Sequence, residues 1–271
     1  MRLRSSEWLL IAYFAYVAAI SPFFISPLRP VILAVAVAIL VLRAAQSESW
    51  FRDILPLILT LAAFREMNWF TPTARDHHLE QVWIVWDRRL LDAYGLRAGI
   101  ESAGRLLPLF LELCYALVYA VAPVALWALF ASGRRDRVNQ LWLAYLAGTL
   151  GAYALFPYFP SEPPRTAFAG QDLPHVMTFL RRFNLWIVNH YGIHSSVFPS
   201  AHVSSAISAG WGLLATLPAD RRWMGWAMIA YGLCVGIATI YGRYHYAVDA
   251  LAGAAISFLG LAAVYLNKRG A

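Results

Sequence analysis

Two histidine-bearing stretches have the residue types and spacing for shared chemistry: Phe198-Pro199-Ser200-Ala201-His202 and Gly242-Arg243-Tyr244-His245-Tyr246-Ala247-Val248-Asp249. Each stands at the start of a long apolar run, so each puts an imidazole at the mouth of a helix. His245 and Asp249 are four residues apart and share one helical face. A carboxylate so placed holds the imidazole in one tautomer and stabilises its charge once it has reacted. Pro199-Ser200 reads as a helix start, with Ser200 as cap and open backbone N–H groups at Ala201 and His202. A phosphoryl group fits between two such mouths. His245 can attack phosphorus, while His202 donates a proton to the leaving oxygen and later takes one from the acceptor. Arg165 and Arg243 supply planar donors for the non-bridging oxygens. This chemistry requires no metal and no cofactor.

The elements that must carry these residues are membrane helices. The chain has 271 residues, 60% hydrophobic and 14% charged, with a mean hydropathy of +0.55. Soluble domains carry nearer a quarter charged residues, so the expectation is an all-α, polytopic helical membrane protein. Apolar runs fall at about 8–20, 31–42, 54–64, 106–130, 141–156, 202–217, 223–241 and 245–266. The third is short and contains Pro56, which makes it tilted or partly inserted. The first, behind Arg2 and Arg4, reads as a retained signal anchor. Between residues 65 and 105 the chain turns polar and aromatic, with Trp69, Trp83 and Trp86 among charges. That pattern suits amphipathic helices in the membrane interface, or a solvated loop capping the bundle. The stretch from Pro157 to Ser200 reads as polar and proline-rich.

With eight crossings, five short basic segments share one side: Arg2/Arg4, 43–52, 133–137, 220–222 and 267–269. By the positive-inside rule that side is cytoplasmic. Segments 21–30, 65–105 and 157–200, with the 242–249 corner, then lie outside, and the reacting histidines face away from the cytoplasm. The net charge of +7 is explained by this topology, without nucleic acid. Cys114 and Cys234 sit inside apolar runs and read as packing residues. His77, His78, His175, His190 and His194 read as ordinary caps or headgroup contacts. Arg181 and Arg182 are expected at lipid headgroups, and Tyr244 and Tyr246 in the aromatic belt.

The motifs resemble the type 2 phosphatidic acid phosphatase superfamily. Pro199-Ser200-Ala201-His202 is similar to its P-S-x-H motif, and His245 to Asp249 to its H-x-x-x-D motif. The lysine that opens the family's first motif is absent, since the only lysine is Lys268. The arginine usually six residues before the third-motif histidine is replaced by Thr239, with Arg243 the nearest substitute. Pro160-Ser161-Glu162-Pro163-Pro164-Arg165 looks like the P-x-x-P-P element of inositol phosphorylceramide synthases and their bacterial relatives. The resemblance covers roughly 141–266. It implies a six-helix core of that family within 106–271, with residues 1–105 adding N-terminal spans and interfacial helices. It also implies a phosphohistidine mechanism with His245 as nucleophile and His202 as acid and base. The substrate is then a phosphorylated lipid, either hydrolysed or giving up a phospho-head group to an alcohol, in a bacterial inner membrane. A non-catalytic lipid transporter or scaffold is the reading from another class, but no internal repeat supports transport.

Overall fold

The computed structural model describes residues 2–269, and side chains through residue 267. Among the described residues there are no strands. In chain order the helices are α1 (Ser5–Ile20), α2 (Leu28–Ala44), α3 (Trp50–Met67), α4 (His78–Arg88), α5 (Leu96–Ser102), α6 (Leu106–Ala116), α7 (Val121–Ala131), α8 (Val138–Tyr153), α9 (Pro164–Ala167), α10 (Phe179–Tyr191), α11 (Ala201–Thr216), α12 (Trp223–Tyr241), α13 (Ala247–Ile256) and α14 (Phe258–Arg269). Among the described residues, four stretches are long and apolar enough to cross a bilayer: Ser5–Phe23, Leu106–Ala131, Ala219–Tyr241 and Ala247–Asn267. The longest, of 26 residues, measures about 39 Å at 1.5 Å per residue, against a hydrocarbon core of about 30 Å. It joins α6 and α7 through a 3-10 turn at Leu117–Ala120. Pro123, near the start of α7, has no N–H to give back to Tyr119, which explains the local tightening.

The centre of the bundle is the pair α8 and α11, wrapped by α1, α12 and α14. Both central helices use small residues to approach closely, as lipid-embedded helices do. Ser204 donates to the Gly148 carbonyl at 2.8 Å, and a Cβ on Gly148 would lie 1.9 Å from Ser208 Oγ. The mouth of α11 is equally tight against α13. A Cβ on Gly253 would meet the Ser200 carbonyl at 2.3 Å, a backbone atom that cannot swing aside. Gly253→Ala is therefore expected to push α13 off the Ser200 turn. Its unfolding midpoint should drop, by about 1–3 kcal/mol of stability, together with activity, both measurable in detergent.

Ion pairs sort the connections into two ends. At one end, Arg4 and Arg135 both grip Asp53, at 2.7 and 2.6 Å. There too Arg52 pairs with Glu7 at 2.6 Å, Arg221 reaches the Ala131 carbonyl, and Ser5 reaches Asn267. All five segments expected on the cytoplasmic side thus meet; the side chains of Lys268 and Arg269 lie outside those described. At the opposite end Phe24 meets Tyr158, Arg65 meets the Tyr191 carbonyl, Arg88 meets Asp172, and Ser200 N–H meets the Asp249 carbonyl. The short third run, as α3, extends from the first end to the second. Two elements were not legible inside the stretch that reads as proline-rich loop: the single turn α9 and the amphipathic helix α10.

Candidate active site

Three connections converge at the second end of the bundle. The mouth of α11 carries Ser200 as its cap and His202 in its first turn, the turn between α12 and α13 carries Arg243 and His245, and the connection after α8 ends in α9, which carries Arg165. Ser200 caps α11 by accepting from Val203 N–H at 3.5 Å, and its carbonyl takes Ser204 N–H. The N–H groups of Ala201 and His202 remain as the helix's uncommitted donors. At α13, Asp249 Oδ2 accepts from Tyr246 N–H at 2.9 Å and faces His245 Nδ1 at 3.3 Å. With Nδ1 turned to Asp249, Nε2 is the nitrogen left to react. The rings of His202 and His245 lie 5.5 Å apart, centroid to centroid, at 87°. One phosphoryl group can touch both. Burial and then the Arg165 guanidinium push the His245 imidazole from its ordinary 6.5 down to about 3, with a Val197 backbone contact acting the other way. The ring is consequently neutral and carries a lone pair near pH 7.

The three arginines divide sharply. Arg165 makes no side-chain hydrogen bond to protein among the described residues; it lies 5.6 Å over the Tyr244 ring, and its buried Nε has no partner. It is the positive charge free to meet an oxyanion. Arg243 is placed otherwise: 1% exposed, it gives Nη1 to Asp87 Oδ2 at 2.5 Å, leaving only Nε and Nη2 without partners. Its left-handed φ of +62° directs its carbonyl to Arg165 N–H at 3.3 Å. Arg181 does not face lipid headgroups as expected. It is buried, bonded to Glu112 at 2.9 Å and to the Gly242 carbonyl at 3.2 Å, because a carboxylate on α6 draws it inward. Tyr244 and Tyr246 are also buried rather than interfacial. Tyr244 stacks on Tyr115 at 3.9 Å and donates to Glu112 at 2.8 Å.

The helix α4 touches all three connections with one face. Glu80 accepts Glu162 N–H at 2.9 Å, which fixes the proline-rich connection. Trp83 stacks on Phe198 at 5.2 Å and meets Tyr246 edge-on at 5.5 Å. Asp87 takes Arg243, and also Ala247 N–H at 2.8 Å, capping α13. Val82, Val85 and Trp86 point the other way and are exposed. Sequence reasoning placed an amphipathic helix here but missed its acids. Their signal was present: Glu80, Trp83, Ile84 and Asp87 recur at the i, i+3, i+4, i+7 spacing of one buried stripe. Glu112, an acid inside an apolar run, carried a similar flag. Replacing Asp87 by asparagine leaves a buried arginine uncompensated and should cost about 3–5 kcal/mol. Asp87→Leu with Arg243→Met should recover most of that stability, read as the unfolding midpoint in detergent.

An all-helical bundle with apolar spans and a polar site at one end defines an integral membrane protein. Its residues 84–263 match the profile of the PAP2 superfamily. The chain belongs to that superfamily. It is also similar to the undecaprenyl-diphosphatase BcrC of Bacillus subtilis (strain 168), at 24% identity over 147 residues, which is 54% of this chain. That alignment spans 65% of the relative's length. No solved structure matches the chain. Among the described residues no group of three or more His, Cys, Asp and Glu side chains gathers as metal ligands do.

Proposed function

We propose that the chain is an integral-membrane phosphatase of lipid phosphates that works through a phosphohistidine at His245. The observation that carries this reading is the convergence, at one end of the bundle, of the buried His245 imidazole and the half-buried His202 imidazole with Arg165, whose side chain has no hydrogen-bond partner among the described residues. His245 Nε2 attacks phosphorus, the bond to the lipid oxygen breaks, and the leaving oxygen takes a proton from His202. An arriving phosphate dianion supplies the negative charge that lets His202 hold this proton. Asp249 stabilises the charged His245, and Arg165 with the N–H groups of Ala201 and His202 carries the equatorial oxygens. Water, deprotonated by His202, then attacks phosphorus, releasing orthophosphate and neutral His245. An alcohol in place of water would receive the phosphoryl or phospho-head group instead. Residues 106–271 supply the reacting core, and residues 1–105 supply the flanking spans and α4.

The five basic segments meeting at the opposite end support a site on the extracytoplasmic face of a bacterial inner membrane. The similarity to an undecaprenyl-diphosphatase supports a lipid phosphate as substrate. Purified protein is given a lipid monophosphate, a lipid diphosphate or a phosphodiester lipid, with and without an alcohol acceptor. Free orthophosphate marks hydrolysis and a new phosphoester marks transfer. A protein that yields neither, and whose unfolding midpoint vanadate does not raise, would be a scaffold or transporter.

A further inference from the structure

A cavity of about 200 Å³ adjoins Arg165, and it is lined by Arg75, Glu162, Thr166, Asn189 and His194. His202, His245, Asp249 and Ser200 are not in its lining, so it is a separate compartment that shares one wall, Arg165, with the reacting histidines. Arg75 comes from the connection between α3 and α4. It is held rigidly, with Nη1 on Glu162 and Nη2 on the His194 carbonyl, and its side chain is 11% exposed. Its Nε nevertheless has no partner, like that of Arg165. A buried, charged N–H without an acceptor costs about 1–3 kcal/mol, and here two belong to arginines that wall one cavity. Glu162 is already matched by Arg75, which leaves the charge of Arg165 unopposed across the two compartments. Polar and apolar surface share the lining nearly equally, and the two arginines stand in it, so a charged head group matches it better than an acyl chain alone.

We infer that this cavity is a second phosphate subsite, and that the preferred head group is a diphosphate. The inference rests on the phosphatase reading above and deepens it. The distal phosphorus meets His245 while the proximal phosphate sits between Arg165 and Arg75. When the P–O bond breaks, its electron pair stays on the bridging oxygen, which leaves with the lipid as a monophosphate protonated from His202. Arg75 and Arg165 thus face the charge that grows on the leaving group. The distal phosphoryl is then on His245, and water releases it as orthophosphate.

The full-length protein in detergent or vesicles is assayed with a lipid diphosphate and the matching lipid monophosphate. Arg75→Gln should lower the diphosphate-to-monophosphate ratio of kcat/KM about tenfold or more, because one charge-assisted contact to the second phosphate is lost. Glu162→Gln, which removes the cavity's acid and keeps both arginines, should raise that ratio. The two opposite signs separate a binding role from mere loosening of the connection. A ratio unchanged in both variants, or falling in both, overturns the subsite. Binding gives a second readout in the His245→Ala protein: inorganic pyrophosphate should raise the unfolding midpoint more than orthophosphate, and Arg75→Gln should abolish the difference. Equal protection by both anions would make the cavity a site for free phosphate and overturn the inference. Loss of the phosphatase reading itself looks different, since His245→Ala would then keep its turnover on either substrate.

Discussion

His245→Ala should lose turnover by roughly 10⁴–10⁶-fold, because it removes the imidazole that Asp249 braces for attack on phosphorus. His202→Ala should lose less, about 10²–10⁴-fold, as expected for removal of an acid and base that water replaces poorly. The double variant should be little slower than His245→Ala, since both act on the same covalent step. Release of orthophosphate from a lipid phosphate measures all three. The pH dependence carries a further sign. The folded His245 imidazole is held at about 3, below the roughly 6.5 of an unfolded chain. The unfolded state then binds more protons, so this residue costs stability as pH falls below about 6.5, increasingly down to about 3. Above 6.5 both states are neutral and the effect vanishes. His245→Ala should flatten that acid slope of the unfolding midpoint relative to the parent protein.

Arg165→Gln should follow as the next largest loss, about 10²–10³-fold in kcat/KM, equal to removing a preorganised charge from developing oxyanions. Arg165→Lys should restore only part, because an ammonium cannot present the same planar fork. The unfolding midpoint should barely fall, or rise, since the Arg165 side chain makes no hydrogen bond to protein among the described residues and its burial pushes its own proton affinity down. This behaviour contrasts with Arg243. There the ion pair to Asp87 links function to folding, and Arg243→Gln should lower stability and activity together. A protein in which Arg243→Gln costs activity with no loss of stability, while Arg165→Gln costs none, would have its phosphate on the other arginine.

The histidine pair was legible because both residues sit at apolar-run boundaries, where a polar side chain has few structural reasons to be. That the apolar runs are helices was legible for the same reason, since long apolar runs are the strongest signal a membrane chain carries; of the eight crossings expected, four stretches among the described residues are long and apolar enough to span. The partners of the buried charges were not. Arg181 and Glu112 are 69 residues apart and Arg243 and Asp87 are 156 apart, and no local period encodes which acid meets which base. Tyr244 and Tyr246 misled through composition. Tyrosines at a helix end suit the membrane interface, yet a carboxylate at Glu112 and a ring at Trp83 pull these two inside. The helix α10 was hidden by its flanks. Prolines at 157, 160, 163, 164 and 174 dominate the stretch, while the 13 residues of Phe179–Tyr191 contain none and keep a capping Thr178 in front.

The most direct measurement is a rapid quench of the purified protein with a ³²P-labelled lipid phosphate. Label should appear covalently on the peptide containing His245, in a bond stable to alkali and cleaved by acid, and His245→Ala should carry none. Label on any other residue, or full turnover without a labelled protein in the first milliseconds and with His245 replaced, would contradict a phosphohistidine at this site.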